Sequence, residues 1–102
     1  VYATPLYWFG PSGQLKLAID RSISFMNKDY DSRIKGKKAL TIMTCGSEDA
    51  GSCQPALDMF RKTFDLLGLS SAGSIEATGC EDTGEVKAEF IEKTRKLAEA
   101  IA

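Results

Sequence analysis

Hydrophobic and polar positions divide the chain into two alternating kinds of segment: short apolar or β-branched runs, and longer stretches with helical period. The first run, residues 1–6, passes into the aromatic cluster Tyr7, Trp8 and Phe9. The breakers Gly10, Pro11, Ser12 and Gly13 follow, so the pattern predicts a strand leading into a loop. From Gln14 onward, Leu15, Ala18, Ile19, Ser22, Ile23 and Met26 fall on one helical face, with Ser12 placed to cap it. A polar loop over 27–36 precedes the almost uninterrupted apolar run 37–45, the pattern of a strand covered on both faces.

A second polar loop, 46–54, leads to a helix with Pro55 near its first turn. Its inward face is Ala56, Phe60, Thr63, Phe64 and Leu67, and Gly68 is its stop. A third strand, 72–78, is diluted by Gly73 and Ser74 and opens a polar loop over 79–84. The last predicted helix runs over 85–101 with Phe90, Ile91, Thr94, Leu97, Ala98 and Ile101 on one face. The order β-α-β-α-β-α with short connections predicts parallel strands joined by right-handed crossovers, a portion of a doubly wound α/β sheet. Its first strand keeps an apolar edge that a further strand would satisfy.

Composition narrows the partners. The 102 residues fit one domain, and 43% hydrophobic with 26% charged residues is ordinary globular usage. The formal net charge is −1, and the basic cluster at 35–38 is interrupted by Gly36, so no phosphate-tracking stripe forms and nucleic acid is not expected as a partner. No apolar run approaches the roughly 18 residues of a membrane span, and no signal-type stretch opens the sequence, so no membrane partner is expected and the expected location is cytoplasmic. Cys45, Cys53 and Cys80 match neither a disulfide framework nor a zinc or iron–sulfur run, which makes reduced thiols the expectation.

Ligands of open parallel sheets bind beyond the carboxyl ends of the strands, which makes the three strand-to-helix loops the candidates. The first sets three consecutive aromatics beside two glycines, an arrangement that suits a flat heteroaromatic ligand and equally suits a hydrophobic plug or a dimer contact. In the second, Thr44, Cys45, Gly46 and Ser47 follow the central strand. There Gly46 admits close backbone approach, Glu48 and Asp49 argue against phosphate, and a plain turn over a buried thiol is the alternative. The third, with Cys80, Glu81 and Asp82, is a poor metal-ligand set and reads as an acidic, helix-capping loop, so no metal is expected. The sequence has no histidine, which removes Ser-His and Cys-His nucleophiles and leaves any catalysis to a cofactor.

Residues 4–21, TPLYWFGPSGQLKLAIDR, resemble the segment S/T-P-x-Y-W/F followed by Q-L-K-x-x-I-D-R of the NAD(P)H-dependent FMN reductase family. That family includes quinone reductases and iron–sulfur flavoproteins of flavodoxin-like fold. The likeness continues through Thr44-Cys45-Gly46 and through 79–86. It implies FMN as cofactor, with Pro5, Leu6, Tyr7, Trp8, Phe9 and Gly10 along the ribityl chain and isoalloxazine ring, and Thr44, Cys45, Gly46 and Ser47 beside the ring. It also implies NAD(P)H as donor, a small-molecule electron acceptor such as a quinone or flavin, and a homo-oligomer. The family's phosphate loop follows a strand that this sequence lacks. The resemblance therefore implies the C-terminal part of a flavodoxin-like domain, binding FMN weakly or not at all by itself, with activity belonging to the full-length form. The alternative is a flavodoxin-like electron carrier or oligomerisation module without NAD(P)H turnover.

Overall fold

Three parallel strands in spatial order β1-β2-β3 carry three helices in the computed structural model, which describes residues 1–81 and 85–101. The elements are β1 (Tyr2–Pro5), α1 (Gly13–Asp20), β2 (Lys38–Thr44), α2 (Gln54–Leu67), β3 (Ser70–Ala77) and α3 (Ala88–Ile101), with single 3₁₀ turns at Arg21–Phe25 and Ala50–Cys53. β1 pairs in parallel with β2, Tyr2 opposite Thr41 and Pro5 opposite Thr44, and β2 pairs in parallel with β3, Ile42 opposite Ile75. The expected α/β class with parallel strands is thus realised, and no helix among the described residues is long and apolar enough to cross a membrane.

Side-chain alternation along β2 sorts the core. Ala39, Thr41 and Met43 are fully buried on one face, while Leu40, Ile42 and Thr44 are only half-buried on the other. The first face is covered by α1 and α2: Met43, Ala56, Phe60 and Phe64 form the main cluster, with Ile19 at its margin and Tyr2 packed against it. Phe60 and Phe64 fall on the helical stripe predicted from period, and their rings stand 5.9 Å apart in tilted contact. The second face is covered by α3 through Phe90, with Leu97 against Ile75 and Ala77. A hollow of about 290 Å³ remains on that side, lined by Ile42, Thr44, Ile75, Val86 and Phe90 among others.

Several elements depart from their predicted extents. α1 begins as predicted, with the Ser12 hydroxyl accepting from Leu15 N at 3.2 Å, but it tightens into a 3₁₀ turn after Asp20. The turn rotates Ile23 out to 60% exposure, and Ala18 is exposed as well. The helical face predicted through Met26 therefore ends early. The cause is local: Ser22 Oγ donates back to the Ala18 carbonyl at 3.3 Å, and Met26 is already extended, bridging Ser32. α3 starts at Ala88 rather than 85, and Ile91 and Ala98 face outward. β3 begins two residues earlier than its apolar run, at Ser70, because pairing with β2 and not hydrophobicity sets its start. A register shift between Ala39 and Leu40 places Ala72 in a bulge, and at neighbouring Gly73 a β-carbon would meet Leu97 Cδ1 at 3.0 Å. The glycine that weakened the strand signal is what lets α3 lie close.

Candidate functional site

All three strands end on the same side of the sheet, and the loops that follow β1 and β2 meet there. Leu6 N donates to the Thr44 carbonyl at 2.8 Å, which prolongs the β1–β2 ladder into the first loop. The loop then turns back on itself: Tyr7 N donates to Gly10 O at 2.9 Å and Gly10 N to Tyr7 O at 3.0 Å. Between them Trp8 (φ 48°) and Phe9 (φ 66°) are both left-handed, a two-residue turn of the kind that normally selects Asn-Gly. Two bulky aromatics in that conformation store strain on the order of 1 kcal/mol each. The turn is held from below by buried Thr4, whose Oγ1 accepts from Ser12 N at 2.9 Å and so joins the end of β1 to the start of α1.

The second loop is laced differently. Cys45 N donates to Ala77 O and Cys80 N to Cys45 O, both at 2.9 Å, and Gly79 N donates to Ser47 O at 3.0 Å, so the loops after β2 and β3 are stitched together. Ser47 Oγ accepts from Asp49 N at 3.0 Å and from the Ser52 hydroxyl at 3.2 Å, and Asp49 caps the 3₁₀ turn through Gly51 N at 2.8 Å. Glu48 is bound by Lys87 Nζ at 2.9 Å, a hydrogen bond that raises the Lys87 pKa above its ordinary value. Both carboxylates that argued against an anion in this loop are thus engaged elsewhere.

Between the two loops lies an open cleft of about 400 Å³ lined by Leu6, Trp8, Phe9, Cys45, Gly46, Ser47 and Ser52. Six of the ten residues singled out in the sequence converge on it. Pro5 ends β1, Tyr7 and Gly10 form the base of the turn, and Thr44 lines the hollow beneath α3, so these four do not line the cleft. Trp8 is 95% exposed and Phe9 and Tyr7 are more than half exposed, with Trp8 and Phe9 lining the cleft and Tyr7 outside its lining. The amides of Trp8, Phe9, Gly46 and Ser47 donate to no partner among the described residues. A β-carbon at Gly46 would meet Glu81 Cγ at 3.0 Å, so the third loop closes in behind it. Of that loop, Asp82, Thr83 and Gly84 lie outside the described residues.

Residues 1–101 match a family defined by the flavodoxin-like fold. The chain belongs to this flavodoxin-like family. Among its relatives, the Bacillus subtilis (strain 168) protein YwqN, whose name gives it as an NAD(P)H-dependent FMN-containing oxidoreductase, is 32% identical over 83 residues, 78% of this chain and 46% of that protein. The solved Trp repressor binding protein from Bacillus subtilis is similar to 98% of the chain and 61% of its own, at 27% identity and a TM-score of 0.65. The flavodoxin-like chain therefore spans about half the length of the curated relative that it matches.

Sequence reasoning missed Ser52 and the proximity of Cys53. Residues 46–54 read as one polar loop, whereas its last part forms the 3₁₀ turn Ala50–Cys53 that runs into α2 and returns to the cleft. The signal available was Asp49 two residues before Gly51, a side chain spaced to cap a turn.

Proposed function

We propose that the cleft is the ring side of an FMN site in an NAD(P)H-dependent oxidoreductase, with this chain forming part of the enzyme. The observation that carries the reading is the convergence of Leu6, Trp8, Phe9, Cys45, Gly46 and Ser47 on one open cleft at the carboxyl ends of β1 and β2. The relative's name supports the same class of chemistry. The residues present fit a planar heteroaromatic group: aromatic rims, an apolar floor of Leu6 and Cys45, and unengaged amides at the edges.

When bound, FMN supplies hydride exchange with nicotinamide and electron delivery to an acceptor. The protein's part is positioning and electrostatics. Trp8 and Phe9 wall the site, and their strained backbone is the kind kept where function demands it. The amides of Gly46 and Ser47 present fixed dipoles that favour negative charge at the edge of a bound ring without reorganising. Leu6 and Cys45 would offer a bound ring an apolar surface. The Glu81 carboxylate stands behind Gly46, its Oε1 3.8 Å from where a β-carbon would lie, so the amide dipoles act against one nearby negative charge. Phosphate binding is assigned to a segment outside this chain, which leaves the 102 residues alone with weak FMN affinity or none. Exposed Trp8 supports self-association as a homo-oligomer.

The test is reconstitution of the full-length protein with FMN, followed by visible absorbance and NADPH oxidation with a quinone acceptor. Bound flavin with nicotinamide oxidation is expected. Absence of any bound flavin overturns the proposal, and bound flavin without nicotinamide oxidation selects the electron-carrier alternative.

A further inference from the structure

Two buried thiols meet beneath the cleft. Cys45 directly follows β2 and lines the cleft floor, while Cys53 ends the 3₁₀ turn that enters α2 and is wholly enclosed. Their sulfurs are 3.8 Å apart, and Cys45 Sγ also lies 3.5 Å from the Ser47 carbonyl. A disulfide needs its sulfurs at about 2.05 Å. The 3.8 Å separation must therefore shrink by roughly 1.7 Å, within reach of side-chain rotation and a small loop adjustment. The connecting segment can make that adjustment: it contains Gly46 and Gly51, and Ser47, Glu48, Asp49 and Ala50 are exposed. Cys80, the third thiol, is tied to Cys45 through its backbone, but its side chain packs with the α3-side cluster, its sulfur 3.5 and 3.7 Å from the Ala77 and Thr78 carbonyls.

We propose that Cys45 and Cys53 are a peroxide-sensitive redox pair, in which hydroperoxide oxidises Cys45 from the cleft and Cys53 resolves it to an intramolecular disulfide. In the first step Cys45 Sγ attacks one peroxide oxygen. An S–O bond forms, the O–O bond breaks, and the thiol proton leaves on the departing oxygen as water when the oxidant is hydrogen peroxide. In the second, Cys53 Sγ attacks the sulfenic sulfur, the S–S bond forms, and hydroxide leaves with the Cys53 proton as a second water. The two thiols lose two electrons and the peroxide gains them. The order follows from access: Cys45 borders the cleft and Cys53 touches no solvent. Burial, then the contact with Cys45, pushes the Cys53 pKa up to about 12, so it is a neutral thiol that must pass its proton to the leaving hydroxide as it attacks. The product would tie the end of β2 to the start of α2 and tighten the loop that bears Gly46 and Ser47. A flavin bound in the cleft would cover Cys45, so the pair is open to peroxide in the flavin-free protein, the form on which it is tested.

Peptide mapping without reductant, before and after hydrogen peroxide treatment of the flavin-free full-length protein, tests the pair. The expected result is a Cys45–Cys53 crosslinked peptide that dithiothreitol reverses, with Cys80 still alkylatable. In Cys53→Ala, Cys45 should instead be trapped by a sulfenic-acid-specific reagent. Two freely alkylated thiols after peroxide, or a crosslink joining Cys80, would overturn the proposal. The wild-type map stands even if the variant fails to fold. Because the readout is a peptide mass, failure here is distinguishable from failure to bind FMN.

Discussion

Lys87 reaches across to Glu48 at 2.9 Å and so bridges the segment before α3 and the loop after β2, directly over Gly79. Gly79 is left-handed (φ 69°), and a β-carbon built there would overlap Glu48 Oε1 and stand 2.9 Å from Lys87 Nζ. The glycine is what allows the bridge to close over the backbone that ties Gly79 N to Ser47 O.

Gly79→Ala is therefore expected to destabilise the protein by about 1–2 kcal/mol, chiefly from the left-handed backbone. Glu48 is exposed at its far end and can swing aside, so steric overlap adds less than the φ strain. Urea unfolding of Gly79→Ala in wild-type and Glu48→Ala backgrounds checks this. A cost that vanishes with Glu48→Ala would assign the effect to the side-chain overlap and refute the backbone account.

The same physics explains what was legible in the sequence. α2 was legible because Ala56, Phe60, Phe64 and Leu67 repeat at helical spacing against one uniform partner, the buried face of β2, and all four are buried. α1 was legible only to Asp20. Its continuation to Met26 depended on a hydroxyl bonding backward at Ser22, which periodicity does not report. The cleft was legible as two loops because strand ends of parallel sheets converge. Cys53 was not, since nothing local to 46–54 reveals that the chain folds back to place one sulfur against another.

Core energetics should centre on Phe60, fully buried with its ring 5.7 Å from Tyr2. Tyr2 also stacks at 5.4 Å on Phe64, so α2 is fastened to β1 across β2 through three rings. Phe60→Ala is expected to lose about 3–5 kcal/mol, from lost burial plus a cavity that the rigid sheet fills poorly. Phe60→Leu should retain more than half of that. Denaturant midpoints at constant m-value distinguish the two, and a loss near zero for Phe60→Ala would contradict the assignment of this ring to the core.

The thiol pair gives stability a definite dependence on pH. Cys53 titrates near 9.0 when unfolded and is raised to about 12 in the fold, by burial first, then by the Cys45 contact and the charges of Cys45 and Glu76. The folded state thus holds its proton where the unfolded state has lost it. This contribution is fully present below pH 9 and is progressively lost as pH rises toward 12. Cys53→Ala should flatten the alkaline fall measured by unfolding under reductant. Glu76→Gln, which removes a neighbouring negative charge, should lower the folded Cys53 pKa and so reduce the alkaline fall. An alkaline fall of equal slope in Cys53→Ala would sink this account.

The Trp8-Phe9 turn separates stability from binding most cleanly. Both residues occupy left-handed backbone that side chains of their bulk disfavour, and Trp8 buries almost nothing in return. Replacing the pair with Asn-Gly keeps the reciprocal Tyr7–Gly10 hydrogen bonds and relieves the strain. The double variant is therefore expected to be more stable by about 1–2 kcal/mol. The same change strips the aromatic rim from the cleft, so in the full-length protein FMN affinity should fall at least tenfold, read by flavin fluorescence titration. A variant that gains stability and keeps its FMN affinity would mean that the rings serve another surface, such as a subunit contact. A variant that loses stability would mean that the aromatics pack against something beyond the described residues. Gain of stability with loss of FMN is the outcome that a strained binding turn requires, because no folding advantage then remains to account for the rings.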